Sequence, residues 1–303
     1  MVIPLVLGSL INTLFPGLLG IGGFTTALFR DGANALIGAF LLCMGAGISF
    51  RATPKIFKKG VVITLTKFLV AVGAGYIIGK FSMNSLPGLS FLAVVAAMSN
   101  SNGGLYAALT GEYGDESDVG AISVLSINDG PFLTMIALGV SGMATLPVIS
   151  FIAVLVPLLL GMVLGNLDND LKDFLGKGGP VLIPFFAFSL GAGIQLKFLY
   201  QAGLAGILLG VLTTIFGGIF NILADRITGG SGIAGAAASS TAGNAIATPN
   251  AVALADPSMA SIAAAATPVV AASTVTTAIL TPLLTWWVMK KYRNKDRKEP
   301  GKL

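Results

Sequence analysis

The chain contains no histidine, and its single cysteine, Cys43, lies inside an apolar run. The first absence removes histidine proton relays, zinc motifs of the H-E-x-x-H kind and serine–histidine triads. The second leaves no disulfide and no thiolate metal site. Charge is also scarce: 10% of the 303 residues are Asp, Glu, Lys or Arg, against roughly 25% in soluble domains. Neither a metal nor a cofactor is expected. Met1-Val2-Ile3-Pro4 lacks the basic start of a signal peptide and reads as part of a retained helix.

Apolar residues fill the gap. They make up 54% of the chain, and the mean hydropathy is +0.88. Their runs reach the roughly 20 residues that a helix needs to cross a bilayer. Glycine is frequent at 40 residues, as suits helices that approach closely without a hydrophobic driving force between them. The expected fold is an all-α membrane protein of ten transmembrane helices, over about 1–15, 33–50, 61–79, 87–109, 119–141, 146–165, 179–196, 201–224, 231–254 and 259–289.

Basic residues orient these spans. Fourteen of the eighteen Lys and Arg fall on one side, in the 2/3, 6/7 and 8/9 links and the tail from Lys290, whereas Arg30, Lys80 and Lys197 fall on the other and Lys67 lies within a span. The positive-inside rule makes both termini cytoplasmic. It also accounts for the net charge of +5, so the bilayer is the expected partner and nucleic acid is not.

An internal repeat supports the span assignment. Ala35–Ile48 aligns without gaps on Val181–Ile194, with seven of fourteen positions identical, and the offset of 146 also pairs Gly60 with Gly206. Pro4–Gly8 matches Pro157–Gly161. The halves are therefore 1–142 and 143–289, followed by a basic cytoplasmic tail over 290–303. With five spans in each half, the copies run antiparallel through the membrane as inverted repeats. Only three residues precede Pro4, so either the first helix is short or the chain starts late.

Two corresponding spans carry polar, helix-breaking centres. The fourth contains Ser99, Asn100, Ser101, Asn102 and Gly103; the ninth contains Thr241, Asn244, Thr248 and Asn250. Irregular backbone at membrane depth must face protein or a water-filled cavity. Each restarted half-helix offers an N-terminus suited to a carboxylate, and the amides and hydroxyls suit a hydroxylated solute. Ser, Asn and Gly also serve close helix packing, so a single such span would say little. Breaks in both halves favour a solute site.

The fifth span contains Asn128-Asp129-Gly130-Pro131, where Asp129 is the one carboxylate well inside an apolar run. A buried acid is suited to carrying a proton, with Asn128 beside it. An Asp before Gly-Pro is equally a natural cap for a restarted helix. Lys67, under two turns from the basic side, is expected to snorkel. Gln195 and Ser49, at matching span ends, read as helix-end polar residues.

Taken together, Ile3–Thr13, Met44–Ile48, Ser99–Tyr106 and Asn128–Phe132 resemble the bacterial 2-keto-3-deoxygluconate permeases over essentially the whole chain. The resemblance implies proton-coupled uptake of 2-keto-3-deoxygluconate, a pectin breakdown product, across the inner membrane. It also implies a fold like that of the bile-acid/sodium symporters, with crossed, broken fourth and ninth helices. Members of that family often begin with a short basic segment, and this chain does not.

The expected activity is symport of a small sugar-acid anion with a proton, by alternating access. The substrate-binding candidates are Ser99, Asn100, Ser101, Asn102, Gly103, Thr241, Asn244, Thr248 and Asn250, and the coupling candidates are Asp129 and Asn128. The alternative is a sodium-coupled organic-anion symporter on the same scaffold. An intramembrane aspartyl protease is excluded, because it needs two opposed aspartates and only one lies deep in a span.

Overall fold

The computed structural model describes residues 2–15, 17–48, 54–81, 88–128, 130–193 and 196–298. Asp129, Ser49 and Gln195 lie outside the described residues. Within them, every regular element is helical. The α-helices are α1 (Val2–Leu14), α2 (Gly23–Phe29), α3 (Ala33–Ala46), α4 (Pro54–Phe81), α5 (Phe91–Ser99), α6 (Gly103–Tyr113), α7 (Glu116–Gly120) and α8 (Ile122–Leu125). They continue with α9 (Phe132–Val140), α10 (Val148–Leu167), α11 (Asn169–Ala192), α12 (Leu196–Val211), α13 (Gly217–Ile227), α14 (Ile233–Ala238), α15 (Thr248–Ala255) and α16 (Ala260–Lys298).

Four stretches are long and apolar enough to cross a membrane: Pro54–Gly79, Asn169–Ala192, Ala202–Ile227 and Pro257–Arg293. The pair α2–α3, bent by 59°, makes a fifth if counted as one span. At 1.5 Å per residue, the 26 residues of Pro54–Gly79 extend about 39 Å, more than the roughly 30 Å of hydrocarbon. The outer faces carry exposed Leu65, Leu69 and Ile77 on α4, and Leu204, Ile207, Ile215 and Ile219 along α12–α13. Such faces are tolerable only where lipid is the solvent. Near the basic end of α16, Lys290 and Lys291 each place their ammonium 5.1 Å from the ring centroid of Trp286 and Trp287, an arrangement typical of a membrane–water boundary.

Irregularities in the helices have local causes. After Phe91–Ser99, Asn100 is extended (φ −101°, ψ 139°), and Asn102 accepts the Leu105 N–H to start α6. Short polar side chains compete with the helix for backbone groups in this way. In the ninth segment the chain leaves the helix at Ser239, passes a 3₁₀ turn over Asn244–Ala247 and restarts with Pro249 in the first turn of α15. The stretch 119–141 is not one helix as expected. It divides into α7, α8, a 3₁₀ turn at Ser126–Asn128 and α9, with Gly130 at φ +121°. That conformation suits glycine alone, and Pro131 cannot continue a helix begun upstream. α16 runs unbroken from the expected tenth span through the basic tail to Lys298.

The helices pack in two sets. α1, α3, α10 and α11 lie against one another, and α4, α5, α12, α13, α14 and α16 form a larger set, with α9 packed on α5 and α15 on α16. Glycine sets the spacing in the first. A β-carbon on Gly8 of α1 would overlap the Phe188 carbonyl of α11, and one on Gly161 of α10 would overlap the Leu42 carbonyl of α3. Phe188 and Leu42 are 146 positions apart, the offset found in the sequence repeat. The larger set buries an alanine-rich α5 in which every residue is inaccessible, leaving the broken segments at its centre.

Candidate functional site

The two broken segments meet directly. Ser101 Oγ donates to the Ala238 carbonyl at 2.9 Å, and the Asn102 N–H donates to Ser240 Oγ at 3.0 Å. Each helix that stops here exposes carbonyls lacking a partner in the next turn. Those of α5 are met by Asn128, whose amide nitrogen donates to the Ser99 carbonyl. Those of α14 are met by Lys67, which donates to Ala238 O at 2.9 Å and Ser240 O at 3.0 Å. Thr281 Oγ1 of α16 donates to Ser239 O at 2.8 Å.

Lys67 therefore does not snorkel. It is 3% exposed and turned inward, because carbonyls freed by the distant break in the ninth segment offer it hydrogen bonds where lipid would offer none. Sequence reading missed it. The available signal was a lone lysine in a span whose partner break contributes a half-helix C-terminus, a place favourable to a cation.

Polar atoms remain unmatched at this crossing. Asn100 is 2% exposed, yet among the described residues neither its amide nitrogen nor its amide oxygen has a hydrogen-bond partner, and Asn128 Oδ1 also has none there. Burying such groups unpaired costs roughly 1–3 kcal/mol each, so unmatched donors and acceptors in one place mark a position for a polar occupant.

The other expected site residues divide. Ser99 and Ser101 line the crossing, and Asn102 Oδ1 is taken up capping α6, next to Gly103 at its first turn. Thr241 turns toward α16: its N–H donates to Thr277 Oγ1 at 3.0 Å, and its hydroxyl lies 2.8 Å from Ser273 Oγ. Asn244 and Thr248 are buried in the restart of the ninth segment. Asn250 does not reach the crossing; its amide donates to Asn34 Oδ1 at 2.9 Å.

That last pair stands in a cleft of about 350 Å³ between the two helix sets, lined by Leu41 of α3 and Pro157 of α10 on one side and by Pro131, Met135 and Asn250 on the other. Its volume is in the range of small-solute pockets. The cleft is formed by the parts of α3 and α15 remote from the basic links.

A family model described as 2-keto-3-deoxygluconate permease matches residues 1–294. The chain belongs to that family. The 2-keto-3-deoxygluconate permease 1 of Salmonella typhimurium is 68% identical over 292 residues, covering 96% of this chain and 92% of that protein. The 2-keto-3-deoxygluconate permease of Bacillus subtilis is 45% identical over 308 residues, covering 99% and 93%. Among solved structures, the sodium proton antiporter of Methanocaldococcus jannaschii aligns with a TM-score of 0.56 at 14% identity, covering 96% of each chain, and so shares the fold. As a member of the permease family the protein is a membrane-embedded transporter, not an enzyme.

The permease also buries a charge cluster nearer its basic end. Lys59, fully buried on α4, donates to Ser117 Oγ at 2.9 Å, pairs closely with Asp118 and lies 3.6 Å from Asp225 and 3.9 Å from the more exposed Asp115. Asp225 Oδ2 accepts the Gly232 N–H at 2.9 Å, and Tyr106 donates to the Asp118 carbonyl at 2.6 Å. One lysine thereby joins α4, α6, α7, α13 and the start of α14. Asp115 is held down to about 2: its partial burial works the other way, but hydrogen bonds from the Ser117 hydroxyl and Asp118 N–H, with the Lys59 and Lys55 ammoniums, outweigh it.

Proposed function

We infer that the protein takes up 2-keto-3-deoxygluconate, or a similar small sugar-acid anion, together with a proton, by alternating access across the bacterial inner membrane. The observation that carries the solute site is the buried amide of Asn100, without a partner among the described residues, at the turn where two broken segments meet. Amides of this kind both donate to and accept from sugar hydroxyls. The relatives' names supply the substrate class.

Ten spans in two inverted repeats are the architecture that goes with this reading. Its support is the matched pair of glycine approaches, Gly8 on Phe188 and Gly161 on Leu42, between segments that the sequence repeat pairs, Pro4–Gly8 with Pro157–Gly161 and Ala35–Ile48 with Val181–Ile194. The cleft between the two helix sets is then one face of the access route, and the set holding the crossing moves against the set built from α1, α3, α10 and α11. Ser99, Asn100 and Ser101 meet the solute directly. Asn102, Gly103, Thr241, Asn244 and Thr248 shape the breaks, and Asn250 meets the solute on entry. Asp129 carries the coupling proton with Asn128 alongside. Both termini are cytoplasmic by the distribution of Lys and Arg.

Counterflow in proteoliposomes tests the substrate. Vesicles loaded with unlabelled 2-keto-3-deoxygluconate should transiently concentrate the labelled compound, and related sugar acids should compete where neutral hexoses do not. Equal competition by neutral sugars would contradict the assignment.

A further inference from the structure

We propose that the Lys67 ammonium receives the carboxylate of the transported solute. The assignment rests on the reading above that the crossing holds a sugar acid, and it names the group that distinguishes an acid from a sugar.

Lys67 is 3% exposed, and an ammonium out of water needs more compensation than dipoles alone provide. It has three N–H donors. Two are satisfied by Ala238 O and Ser240 O; the third has no partner among the described residues. Nor does any described carboxylate lie within ion-pair distance of it. The buried carboxylates of the elements around α4, Asp118 and Asp225, are gathered on Lys59 with the more exposed Asp115, eight residues back along the helix and so about 12 Å away. Asp129 lies outside the described residues.

The ammonium is fixed at the crossing itself. Ser101 Oγ donates to the same Ala238 carbonyl as Lys67 does, and the unpartnered Asn100 amide is the preceding residue. An ammonium N–H and a buried amide, both without a partner among the described residues, thus belong to the same crossing of the broken segments. A carboxylate fits the first and adjacent hydroxyls fit the second. The pairing also makes the loaded crossing electrically neutral at this point, which lowers the cost of carrying the site through a low-dielectric interior.

The test compares 2-keto-3-deoxygluconate with its methyl ester as competitors in counterflow, for wild type, Lys67→Gln and Asn100→Ala. Wild type should prefer the acid. Lys67→Gln should reduce that preference by about 10- to 100-fold, the worth of a hydrogen bond to a charged group, so that the ester is weakened far less than the acid. Asn100→Ala should weaken acid and ester alike. A wild-type acid-to-ester ratio in Lys67→Gln, with Asn100→Ala still weakened, would overturn the Lys67 assignment alone. No response in either variant would overturn the crossing as the solute site. If Lys67→Gln does not reach the membrane, Lys67→Arg serves: its bulkier cation should alter affinity for the acid more than for the ester, and equal shifts would reject the proposal.

Discussion

At Asn100, a structural amide and a solute-binding amide give opposite expectations. A structural amide is hydrogen-bonded to protein, and its removal costs stability. The Asn100 side chain is bonded to none of the described residues and lies 2% exposed, so its burial costs stability unless a solute meets it. Asn100→Ala should leave the unfolding temperature of the solute-free protein unchanged or raised. Solute binding should weaken by about 1–3 kcal/mol, roughly 5- to 150-fold, since the solute loses the partner the amide was kept for. Reduced stability with intact binding would return Asn100 to an ordinary packing role. Lys67 and Asn102 differ from it, because both already hold protein groups and their substitution disturbs a helix end as well as the site.

Among the elements, the broken fourth and ninth segments were legible in the sequence because Ser, Asn, Thr, Gly and Pro interrupt otherwise apolar runs, and those residue types end helices by local chemistry. Helix α10 likewise begins at Val148 and ends at Leu167, close to the expected 146–165. What could not be read was pairing across long separations. Lys67 meets carbonyls 171 and 173 positions away, and the acidic run before the fifth segment folds back to bury Asp118 against Lys59. The division of the fifth segment was half legible, from Gly130-Pro131, and the pairing of Asn250 with Asn34 was not, because helical register alone does not tell which neighbour an amide will face.

Two element junctions carry their own predictions. Lys59→Met strands Asp118 and Asp225 in a buried cluster without their cation, so it should destabilise the protein by about 3–5 kcal/mol; the measurement is thermal unfolding in detergent. Adding Asp118→Asn and Asp225→Asn to it should recover much of the loss, and no recovery would mean that lysine packing, rather than charge, holds the junction. Asp256 accepts from the Ser258 hydroxyl at 2.6 Å and from the Thr145 N–H at 2.7 Å, tying the link before α10 to the one before α16. These bonds hold its carboxyl below the ordinary carboxylate value of 3.8. A depressed folded-state value means that the stabilisation is complete above the unfolded value and is lost as pH falls through the folded one. Asp256→Asn should therefore unfold earlier than wild type at neutral pH, with the gap closing below about pH 4. A gap that stays constant down to pH 3 would separate Asp256 from that linkage.

On the scale of the whole molecule, the distribution of Lys and Arg and the two helix sets have to agree on one orientation. Lys55 is 60% exposed on its side chain, and Arg30 lies on the surface at the other end of the adjoining spans. Cys43 is buried and adds little background. A Lys55→Cys variant in intact cells should resist an impermeant thiol reagent, and an Arg30→Cys variant should react; the reverse pattern would invert the topology. In the proposed orientation, the cleft containing Asn250 opens outward and the Lys59 cluster closes the cytoplasmic side.

The coupling of solute to proton is the claim on which the rest depends, and one measurement addresses it most directly: accumulation of labelled 2-keto-3-deoxygluconate by purified protein in sodium-free proteoliposomes with an alkaline interior, beside counterflow in the same vesicles. Wild type should do both. Asp129→Asn, which mimics the protonated acid, should retain counterflow and lose accumulation. Accumulation that requires a sodium gradient, or that survives intact in Asp129→Asn, would contradict proton coupling through Asp129.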